Sequence, residues 1–455
     1  MDINPAIFKA YDIRGIYPSE INERVAARIA TVLAEYVRRR ARKKKITIVM
    51  ARDVRTSSPS LAHYIKESLL HAGADVVDAG VMTTPMFYFC MNHLKANGGI
   101  MITASHNPAE YNGFKIFSGQ NDPIAMGFGL EEFRDRALEP EEIMDVGERG
   151  TYRITSLLSE YVSFLKKKVS FSGAPMRVVV DAGGGSAALV LPELLHALGV
   201  SYTPLFFEVD GSFSRHSPNP HDRRSQAHIK KELASGEYQL GVIFDGDADR
   251  AIFFDETGEE VRPDFILALL ADEALKKKKG GSFVAELTTS KAVREYIANR
   301  GGKVALCRVG RTYMRDRMKQ TDSRIGAEIS GHFYFKDFYY WDAAILAFLR
   351  VVELISSRGV AISALARPLA AYMSSGQVSV EVSSKDDVMR EVEAYYRGQG
   401  AHSRLDGITV EFDHWWFNIR PSNTENMVRY MLEADSEKIL EEKKQELEKV
   451  IARAN

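Results

Sequence analysis

The chain has 455 residues, of which 45% are hydrophobic and 27% charged, and 60 Lys and Arg against 61 Asp and Glu give a formal net charge of -1. This composition is typical of a globular protein of about three or four domains. The balanced charge creates no overall positive field that would attract nucleic acid or an acidic membrane. Two cysteines exclude a disulfide framework, and the lack of an N-terminal signal or of an apolar run of roughly 18 residues predicts a cytoplasmic protein without membrane contact.

Short β-branched runs alternate with helical stretches over most of the chain, which predicts an α/β fold with parallel or mixed sheets. Three segments share one order: a strand, an acidic residue, a turn of small or hydroxyl residues and a helix. Their strands and acids are residues 46–50 with Asp53, 177–180 with Asp181 and 283–285 with Glu286. We therefore predict an α/β unit that is used three times.

Two basic runs, residues 38–45 and 276–279, each follow an apolar-periodic helical stretch and precede a strand. Cations at a helix C-terminus are favoured by the helix macrodipole. We interpret both runs as solvated helix ends and expect no nucleic acid partner.

Linker-like stretches suggest four domains, at residues 1–150, 151–255, 256–368 and 369–455. The last of these domains differs from the others in its predicted secondary structure. Its pattern predicts strands at residues 378–382, 409–412 and 416–419, with helices at 386–396 and from 436 onwards. This arrangement indicates a smaller α+β domain.

A predicted buried strand at residues 99–102 leads into the turn Thr103-Ala-Ser-His-Asn-Pro108. Ser105 lies at its apex, where a strand end can present a hydroxyl for covalent chemistry. The alternative is an ordinary polar turn before a proline, and the turn alone leaves both open.

The segment Asp245-Gly-Asp-Ala-Asp-Arg250 follows a predicted strand and brings three carboxylates together. Hard oxygen ligands favour Mg²⁺, and Arg250 offers a fixed charge for a phosphate beside it. A solvated acidic turn and a phosphatase with Asp245 as nucleophile are the alternatives. An EF-hand is disfavoured because Arg250 stands where that loop needs glycine.

Gly183-Gly-Gly-Ser-Ala-Ala188 matches a dinucleotide fingerprint after a strand. We prefer a tight strand-to-helix turn that packs under the acidic loop. Two later segments, Glu328-Ile-Ser-Gly-His332 and Arg420-Pro-Ser-Asn-Thr-Glu425, gather groups suited to sugar hydroxyls and to phosphate.

Together, the serine turn, the acidic loop and these two later segments resemble, in this order, the loops of the α-D-phosphohexomutase superfamily, closest to its phosphomannomutase/phosphoglucomutase branch. Further matches are Tyr11-Asp-Ile-Arg-Gly15, Asn112-Gly-Phe-Lys115 and His216-Ser-Pro-Asn-Pro220. The resemblance implies three related α/β domains with mixed sheets and a C-terminal α+β domain, heart-shaped around a central cleft.

The resemblance also implies a role for each matched residue. Ser105 would be phosphorylated and would bind Mg²⁺ together with Asp245, Asp247 and Asp249. The other implied catalytic residues are Arg14, Lys115, Arg250 and His332. The implied substrate-binding residues are Glu328, Ser330, Arg311, Arg420, Ser422, Asn423 and Thr424. Arg311 stands where relatives usually carry histidine, and arginine does not act as a base at neutral pH, so we expect it to contact a hydroxyl or a phosphate.

The implied activity is that of a phosphohexomutase, an isomerase of carbohydrate metabolism. It would interconvert hexose 1-phosphate and hexose 6-phosphate, of mannose or glucose, with Mg²⁺ as cofactor and hexose 1,6-bisphosphate as activator. Sugar phosphates would be its partners, and it would be a monomer or small homo-oligomer. The alternatives are a phosphoglucosamine mutase, an Mg²⁺-dependent sugar-phosphate phosphatase and a sugar-phosphate sensor without turnover.

Overall fold

The computed structural model describes residues 3–119, 121–140, 148–171, 173, 175–422 and 426–454. The chain divides into two compact units: the first comprises Met1–Val261 with Gly331–Ile362, and the second Arg262–Ser330 with Ser363–Asn455. Among the described residues, no helix is both long and apolar enough to cross a membrane.

A seven-stranded mixed sheet opens the first unit. Its elements are β1 (Ile13–Ile16), α1 (Glu23–Ala41), β2 (Thr47–Arg52), α2 (Ser58–His71), β3 (Asp75–Val81), α3 (Thr84–His93), β4 (Gly98–Ile102), β5 (Tyr111–Ser118), β6 (Asp122–Pro123), α4 (Leu130–Leu138) and β7 (Tyr152–Ile154). The strand order is β1-β5-β4-β2-β3-β7, with β6 paired to β5. β2 runs parallel to β3 and β4, whereas β5 runs antiparallel to β4 and β1.

A five-stranded sheet follows in the same unit. Its elements are α5 (Leu158–Lys166), β8 (Arg177–Asp181), α6 (Leu191–Leu198), β9 (Ser201–Leu205), α7 (Arg223–Leu233), β10 (Leu240–Phe244), β11 (Ala251–Phe254) and β12 (Glu260–Val261). The order is β12-β11-β10-β8-β9. β8 is parallel to both β9 and β10, and β11 is antiparallel to β10.

The second unit begins with three parallel strands in the order β14-β13-β15. Its elements are α8 (Pro263–Lys277), β13 (Ser282–Glu286), α9 (Lys291–Ala298), β14 (Lys303–Cys307), α10 (Arg311–Gln320) and β15 (Ile325–Ala327). The chain then returns to the first unit with the antiparallel pair β16 (Phe333–Phe335) and β17 (Trp341–Asp342). These are followed by α11 (Ala344–Arg358) and, at the end of that stretch, α12 (Ile362–Ala366).

One α/β unit thus occurs three times, as predicted. In each copy the first strand is central, the second lies on one side and the third on the other: β3-β2-β4, β9-β8-β10 and β14-β13-β15. In such sheets the reversal of strand order beside the first strand opens a crevice at the carboxyl ends. The third strands β4, β10 and β15 lead directly into the predicted loops of Ser105, Asp245 and Glu328.

An antiparallel sheet covered by helices completes the second unit. Its elements are β18 (Met373–Glu381), α13 (Lys385–Tyr396), β19 (Ala401–Ser403), β20 (Ile408–Glu411), β21 (Trp415–Pro421), β22 (Met427–Ala434) and α14 (Glu437–Arg453). The order is β18-β22-β21-β20-β19. Tyr396, Phe417 and Leu447 belong to its buried core. The predicted α+β domain is confirmed, although β19 and β22 were not anticipated.

Both basic runs close helices, as predicted. α1 ends at Ala41, and Arg42 caps it in the left-handed conformation. The Arg38 guanidinium donates to the Ala72 carbonyl at 2.5 Å. Lys276 and Lys277 occupy the last turn of α8.

Candidate functional site

Two of the loops at these strand ends meet in the first unit. Ser105 follows β4 and Asp245 follows β10, and the Ser105 hydroxyl donates a 2.8 Å hydrogen bond to Asp245 Oδ2. A Cβ at Gly246 would lie 2.7 Å from the Ser105 carbonyl oxygen, so the close approach of the loops requires glycine there. The predicted serine and the predicted acidic loop therefore share one site.

Each of these loops holds a non-glycine residue in the left-handed region. Ser105 has φ 52° and Ala248 has φ 57°. Such a conformation costs on the order of 1 kcal/mol or more and persists where surrounding contacts enforce it. One such contact is the hydrogen bond from the Ser105 N–H to Thr103 Oγ1, at 2.9 Å.

The three carboxylates of the acidic loop are buried side by side. Asp245, Asp247 and Asp249 are at most 1% exposed, and each offers an oxygen within 4.8 Å of the others. Asp247 Oδ2 accepts from Thr84 at 2.6 Å and from Lys115 Nζ at 2.7 Å. Lys115 Nζ also donates to Asp249 Oδ2 at 2.5 Å. One lysine thus binds two of the acids.

Burial and charge separate the protonation behaviour of these acids. Burial, reinforced by the neighbouring carboxylates of Asp249 and Asp247, raises the pKa of Asp245 well above its usual value. Burial pushes Asp249 the same way, but the charges of Lys115 and His332 outweigh it and hold the pKa of Asp249 well below its usual value. The pKa values of these two neighbouring acids are therefore shifted in opposite directions.

The donor atoms of this cluster fit a hard divalent cation. Asp247 Oδ1 and Asp249 Oδ1 are buried and accept no hydrogen bond from any residue within the described ranges. Carboxylate and hydroxyl oxygens are the ligands that Mg²⁺ prefers, and a cation would compensate the charge of these buried oxygens.

A divalent cation is expected to stabilise the folded protein. Adding Mg²⁺ to chelator-treated protein should raise its free energy of unfolding by about 2.7 kcal/mol at a hundredfold excess over the dissociation constant. Asp249→Asn should lose most of this increase, because it removes a buried anionic oxygen. Asp255→Asn is the control, since Asp255 is buried in the turn after β11 and accepts there from Thr257 and Glu259 N–H groups. Thermal unfolding checks the prediction, and an equal Mg²⁺ shift in the Asp249 variant would contradict it.

The four other predicted catalytic residues lie around the same two loops. Arg250 Nε donates to His332 Nε2 at 3.1 Å, and His332 Nδ1 lies 3.1 Å from the Asp249 carbonyl oxygen. Arg14 donates to Asn107 Oδ1 at 2.5 Å. Lys115 completes the set through the contacts given above. The structure therefore brings together all five residues predicted to be catalytic.

The backbone of the preceding residue, Gly331, fixes the position of His332. The Ala251 N–H donates to the Gly331 carbonyl oxygen at 3.0 Å. Gly331 has φ 91°, and a Cβ there would lie 2.9 Å from the Ala251 carbonyl oxygen. This glycine allows the segment before β16 to approach β11, which places His332 beside Arg250.

His106, next to the serine, is half-buried. Its Nδ1 lies 3.3 Å from Ser105 Oγ. Burial, together with the positive charges of Arg250 and Arg14, lowers the pKa of His106 well below its usual value. We interpret His106 as a residue that shapes the turn, because the Ser105 hydroxyl donates to Asp245 and not to His106.

Sequence reasoning missed several residues that hold this site. Thr84 donates to Asp247, Asp12 pairs with Arg14, and His332 Nδ1 lies 3.4 Å from Asp342 Oδ2. Thr84 carried a local signal, the helix start at Thr83 with proline next to it. Asp342 carried no such signal, because a single acidic residue in a short apolar strand does not indicate which residue it will contact.

The Gly183–Ala188 turn packs under the acidic loop, as predicted. The Ser186 N–H donates to the Gly246 carbonyl oxygen at 2.9 Å. A Cβ at Gly185 would lie 2.8 Å from the same oxygen. The glycine-rich turn therefore supports the acidic loop directly.

In the second unit, Glu328 follows β15 and contacts the segment that joins β14 to α10. Glu328 Oε1 accepts from the Gly310 N–H at 2.8 Å, and Arg311 follows as the first residue of α10. Glu328 is 3% and Arg311 7% exposed, while Ser330 is half-buried. The sugar-binding prediction thus falls on a carboxylate, a guanidinium and a hydroxyl near one sheet edge.

The predicted phosphate loop begins within the last two residues of β21, in the same unit. Arg420 donates to Gln377 Oε1 at 3.3 Å, and the Ser422 N–H donates to the Met427 carbonyl oxygen at 2.9 Å. Lys385 Nζ donates to the Ser422 carbonyl oxygen at 2.9 Å. The two remaining predicted residues of this loop, Asn423 and Thr424, lie outside the described residues.

A cavity of about 940 Å³ lies elsewhere, between α1 and α4. Its lining contains two ion pairs, Arg39 with Glu132 and Arg136 Nε with Glu35 Oε2 at 2.9 Å. None of the predicted site residues lines it.

Family comparisons agree with this arrangement. Models of the phosphoglucomutase/phosphomannomutase α/β/α domains I, II and III match residues 5–128, 159–258 and 262–372, and the C-terminal domain model matches residues 378–450. A phosphomannomutase of Vibrio cholerae is 33% identical over 454 residues, 98% of both chains. A phosphomannomutase of Methanocaldococcus jannaschii is 32% identical over 452 residues, also 98% of both.

A solved structure has the same fold. It is a phosphoglucomutase/phosphomannomutase family protein from Burkholderia thailandensis, with a TM-score of 0.88 and 27% identity, matched over 100% of this chain and 98% of that one.

The repeated α/β unit, the buried acidic loop and these relatives define the class: a hexose-phosphate mutase, a phosphotransferase that acts as an isomerase. Within that class the chain belongs to the phosphoglucomutase/phosphomannomutase family of the α-D-phosphohexomutase superfamily and is similar to phosphomannomutases.

Proposed function

We propose that the chain interconverts hexose 1-phosphate and hexose 6-phosphate, of mannose or glucose, through a phosphoserine at Ser105 and a bound hexose 1,6-bisphosphate. The observation that carries this proposal is the 2.8 Å hydrogen bond from the Ser105 hydroxyl to Asp245 Oδ2. It gives the hydroxyl a proton acceptor inside a buried charged site, and a nucleophilic serine needs such a partner.

Ser105 carries the phosphoryl group in both halves of the reaction. In the dephosphorylated enzyme its proton points at Asp245 Oδ2, which leaves lone pairs of Oγ available to the incoming phosphoryl group. A phosphoserine adds a charge of about -1.5 to -2. Lys115 and Arg250 supply permanent positive charge beside it, and preorganised charge of this kind stabilises phosphoryl transfer.

Arg14 and His332 hold the edges of this site. Arg14 reaches the turn through Asn107, and His332 is fixed against Arg250. Ser105, Asp245, Asp247 and Asp249 are the proposed ligands of Mg²⁺, which when bound would neutralise charge on the phosphoryl group.

The hexose and its second phosphate are assigned to the predicted residues of the second unit. The buried carboxylate of Glu328, with Ser330, suits hydroxyls that must be recognised in two sugar orientations. The proposed phosphate contacts are Arg311, Arg420, Ser422, Asn423 and Thr424. Guanidinium and hydroxyl groups bind phosphate oxygens by charge-assisted hydrogen bonds.

Three further predictions belong to this proposal. Hexose 1,6-bisphosphate acts as activator, because it returns a phosphate to Ser105 when the intermediate escapes. The four domains have boundaries near residues 150, 255 and 368, and the four family models support this number. The enzyme works in the cytoplasm as a monomer or small homo-oligomer.

Mass spectrometry with activity assays tests the proposal. Wild-type protein treated with glucose 1,6-bisphosphate should gain one phosphoryl group on the peptide that contains Ser105. It should then turn over mannose 1-phosphate and glucose 1-phosphate when a trace of bisphosphate is present. Phosphate on another residue would contradict the proposal.

The same assay separates the alternatives. Faster turnover of glucosamine 1-phosphate than of both other sugars would assign the chain to phosphoglucosamine mutases. Stoichiometric release of inorganic phosphate would favour a phosphatase with Asp245 as nucleophile. Binding without turnover would favour a sugar-phosphate sensor.

A further inference from the structure

Arg55 lies under the serine turn, and its side chain is completely buried. It follows β2, and its side-chain exposure is 0%. Its Nε donates to Asp53 Oδ2 at 3.1 Å. The other four N–H groups of the guanidinium donate to backbone carbonyls, those of Ser105 (2.9 Å), Asn107 (2.6 Å), Pro108 (2.6 Å) and Tyr111 (3.0 Å). A guanidinium has five N–H donors, so this one is fully used.

Three of these carbonyls, those of Ser105, Asn107 and Pro108, belong to the stretch between β4 and β5 that presents Ser105, and the fourth belongs to Tyr111, the first residue of β5. Residues 103–110 of this stretch form neither helix nor strand. Buried carbonyls need partners, and the loss of one costs the desolvation of an unsatisfied polar group. Arg55 therefore donates to backbone carbonyls that, in a helix or a sheet, would accept from backbone N–H groups.

Asp53 in turn fixes Arg55. It accepts from the Arg55 backbone N–H at 3.1 Å and from Ser58 Oγ at 2.8 Å, and it is 2% exposed. The Phe213 ring lies 5.1 Å from the guanidinium carbon. The guanidinium is thus held in one orientation, with its charge matched by a buried carboxylate.

The third copy of the α/β unit uses a related arrangement. Glu286, which ends β13 as Asp53 follows β2, accepts from the Ile329 N–H at 3.0 Å and from Thr288 Oγ1 at 2.6 Å. In both copies the acid at the end of the first strand fixes the loop that leaves the third strand. In the third copy Glu286 contacts its loop directly, whereas in the first copy Asp53 acts on the serine turn through Arg55.

We infer that Arg55 is a positioning residue that holds the Ser105 turn in the geometry required for phosphoryl transfer. This inference rests on the proposed role of Ser105. Arg55 touches the backbone of the turn, so its loss should misplace the Ser105 hydroxyl and leave the sugar-binding residues unchanged.

The matched control is Arg28, a second buried arginine of the same unit. It is 4% exposed and donates to backbone carbonyls of Arg136 at 2.7 Å, Ala137 at 3.3 Å and Glu139 at 3.1 Å. It thus donates to backbone carbonyls as Arg55 does, but at the C-terminal end of α4, and among the described residues it has no hydrogen bond to the serine turn.

The experiment compares Arg55→Lys, Arg55→Met and Arg28→Met with wild type. Hydrogen–deuterium exchange of the peptide spanning residues 103–111 reports the turn directly, since the amides of Ser105, Asn107 and Tyr111 donate hydrogen bonds within it. Steady-state kinetics with glucose 1-phosphate then separate kcat from KM.

We expect exchange in this peptide to accelerate at least about tenfold in both Arg55 variants and to stay at the wild-type rate in Arg28→Met. The value of kcat should fall by about 100-fold in Arg55→Met, with KM changed less than about threefold. Arg55→Lys should fall between, because an ammonium keeps the charge but has three donors.

Three results would overturn the inference. The first is wild-type exchange of the turn in Arg55→Met. The second is equal losses of kcat in Arg55→Met and Arg28→Met. The third is failure of both Arg55 variants to fold while Arg28→Met folds, because Arg55 would then serve the fold as a whole. If exchange of the turn accelerates in the Arg55 variants but wild-type Ser105 carries no phosphate, Arg55 still positions the turn, and the proposed phosphoserine function is wrong.

Discussion

Replacing Ser105 by alanine is expected to lower mutase turnover on the order of 10⁴-fold and to abolish covalent phosphorylation of the protein. The Oγ atom is the proposed acceptor of the phosphoryl group, and alanine removes it while it keeps the Cβ and the backbone of the turn. Turnover of glucose 1-phosphate, measured with excess glucose 1,6-bisphosphate, gives the size of the loss. Peptide mass spectrometry gives the phosphorylation.

The effect on stability should be small by comparison. The substitution removes one hydrogen bond to Asp245, whose other oxygen still accepts from the Asp249 N–H at 3.0 Å and the Arg250 N–H at 3.2 Å. We expect a loss of about 1 kcal/mol in the free energy of unfolding.

Ser225→Ala is the matched control for this prediction. Ser225 is also fully buried in the first unit, and its hydroxyl donates to the Ser217 carbonyl oxygen at 3.1 Å. It should lose similar stability and keep wild-type turnover. If Ser105→Ala retains turnover within about tenfold of wild type, the phosphoserine mechanism is wrong.

The repeated α/β unit was predictable because several strands in the interior of its sheets are buried on both faces. β4 and β10 are buried at every position, and β8 at every position but its first. Such strands appear in sequence as continuous apolar runs, each followed by its turn residues. The loops that follow them were predictable for the same reason, since a polar motif directly after an apolar run marks the end of a strand.

β22 was missed because its pattern is ambiguous. It lies between β18 and β21, and five of its residues, Tyr430 to Ala434, are buried in succession. That run includes Glu433, whose Oε2 accepts from Trp416 Nε1 at 2.9 Å. An acidic residue within an apolar run suggests an exposed segment. Only the neighbouring strand β21, which carries Trp416, shows that Glu433 is buried and hydrogen-bonded.

The residues that hold the serine turn could not be predicted from local sequence. Arg55 is fifty positions from Ser105. A lone arginine after a strand is ordinarily a surface residue. Its role appears only when the fold brings β2 beside β4, because that pairing places the end of one strand under the loop of the other.

Replacing Lys115 by methionine is expected to damage both stability and activity. The ammonium is 2% exposed and binds Asp247 at 2.7 Å and Asp249 at 2.5 Å. Methionine keeps most of the aliphatic stem but leaves these buried carboxylates without their lysine. Loss of one partner from a buried ion pair costs about 3–5 kcal/mol. Turnover should fall on the order of 10²–10³-fold, because the positive charge beside the phosphoryl group is lost.

Added Mg²⁺ distinguishes the electrostatic origin of this loss from a packing defect. A divalent cation at the same carboxylates compensates their charge, so the stability deficit of Lys115→Met should shrink when Mg²⁺ is added, whereas turnover should stay low. Lys168→Met is the control: Lys168 donates to the Asp337 carbonyl oxygen at 2.8 Å at a partly exposed site, and its loss should cost less than about 1 kcal/mol. Urea unfolding with and without Mg²⁺ measures both variants. A deficit of Lys115→Met that is the same in both conditions would assign the role of Lys115 to packing, because charge compensation by the cation would then have no effect.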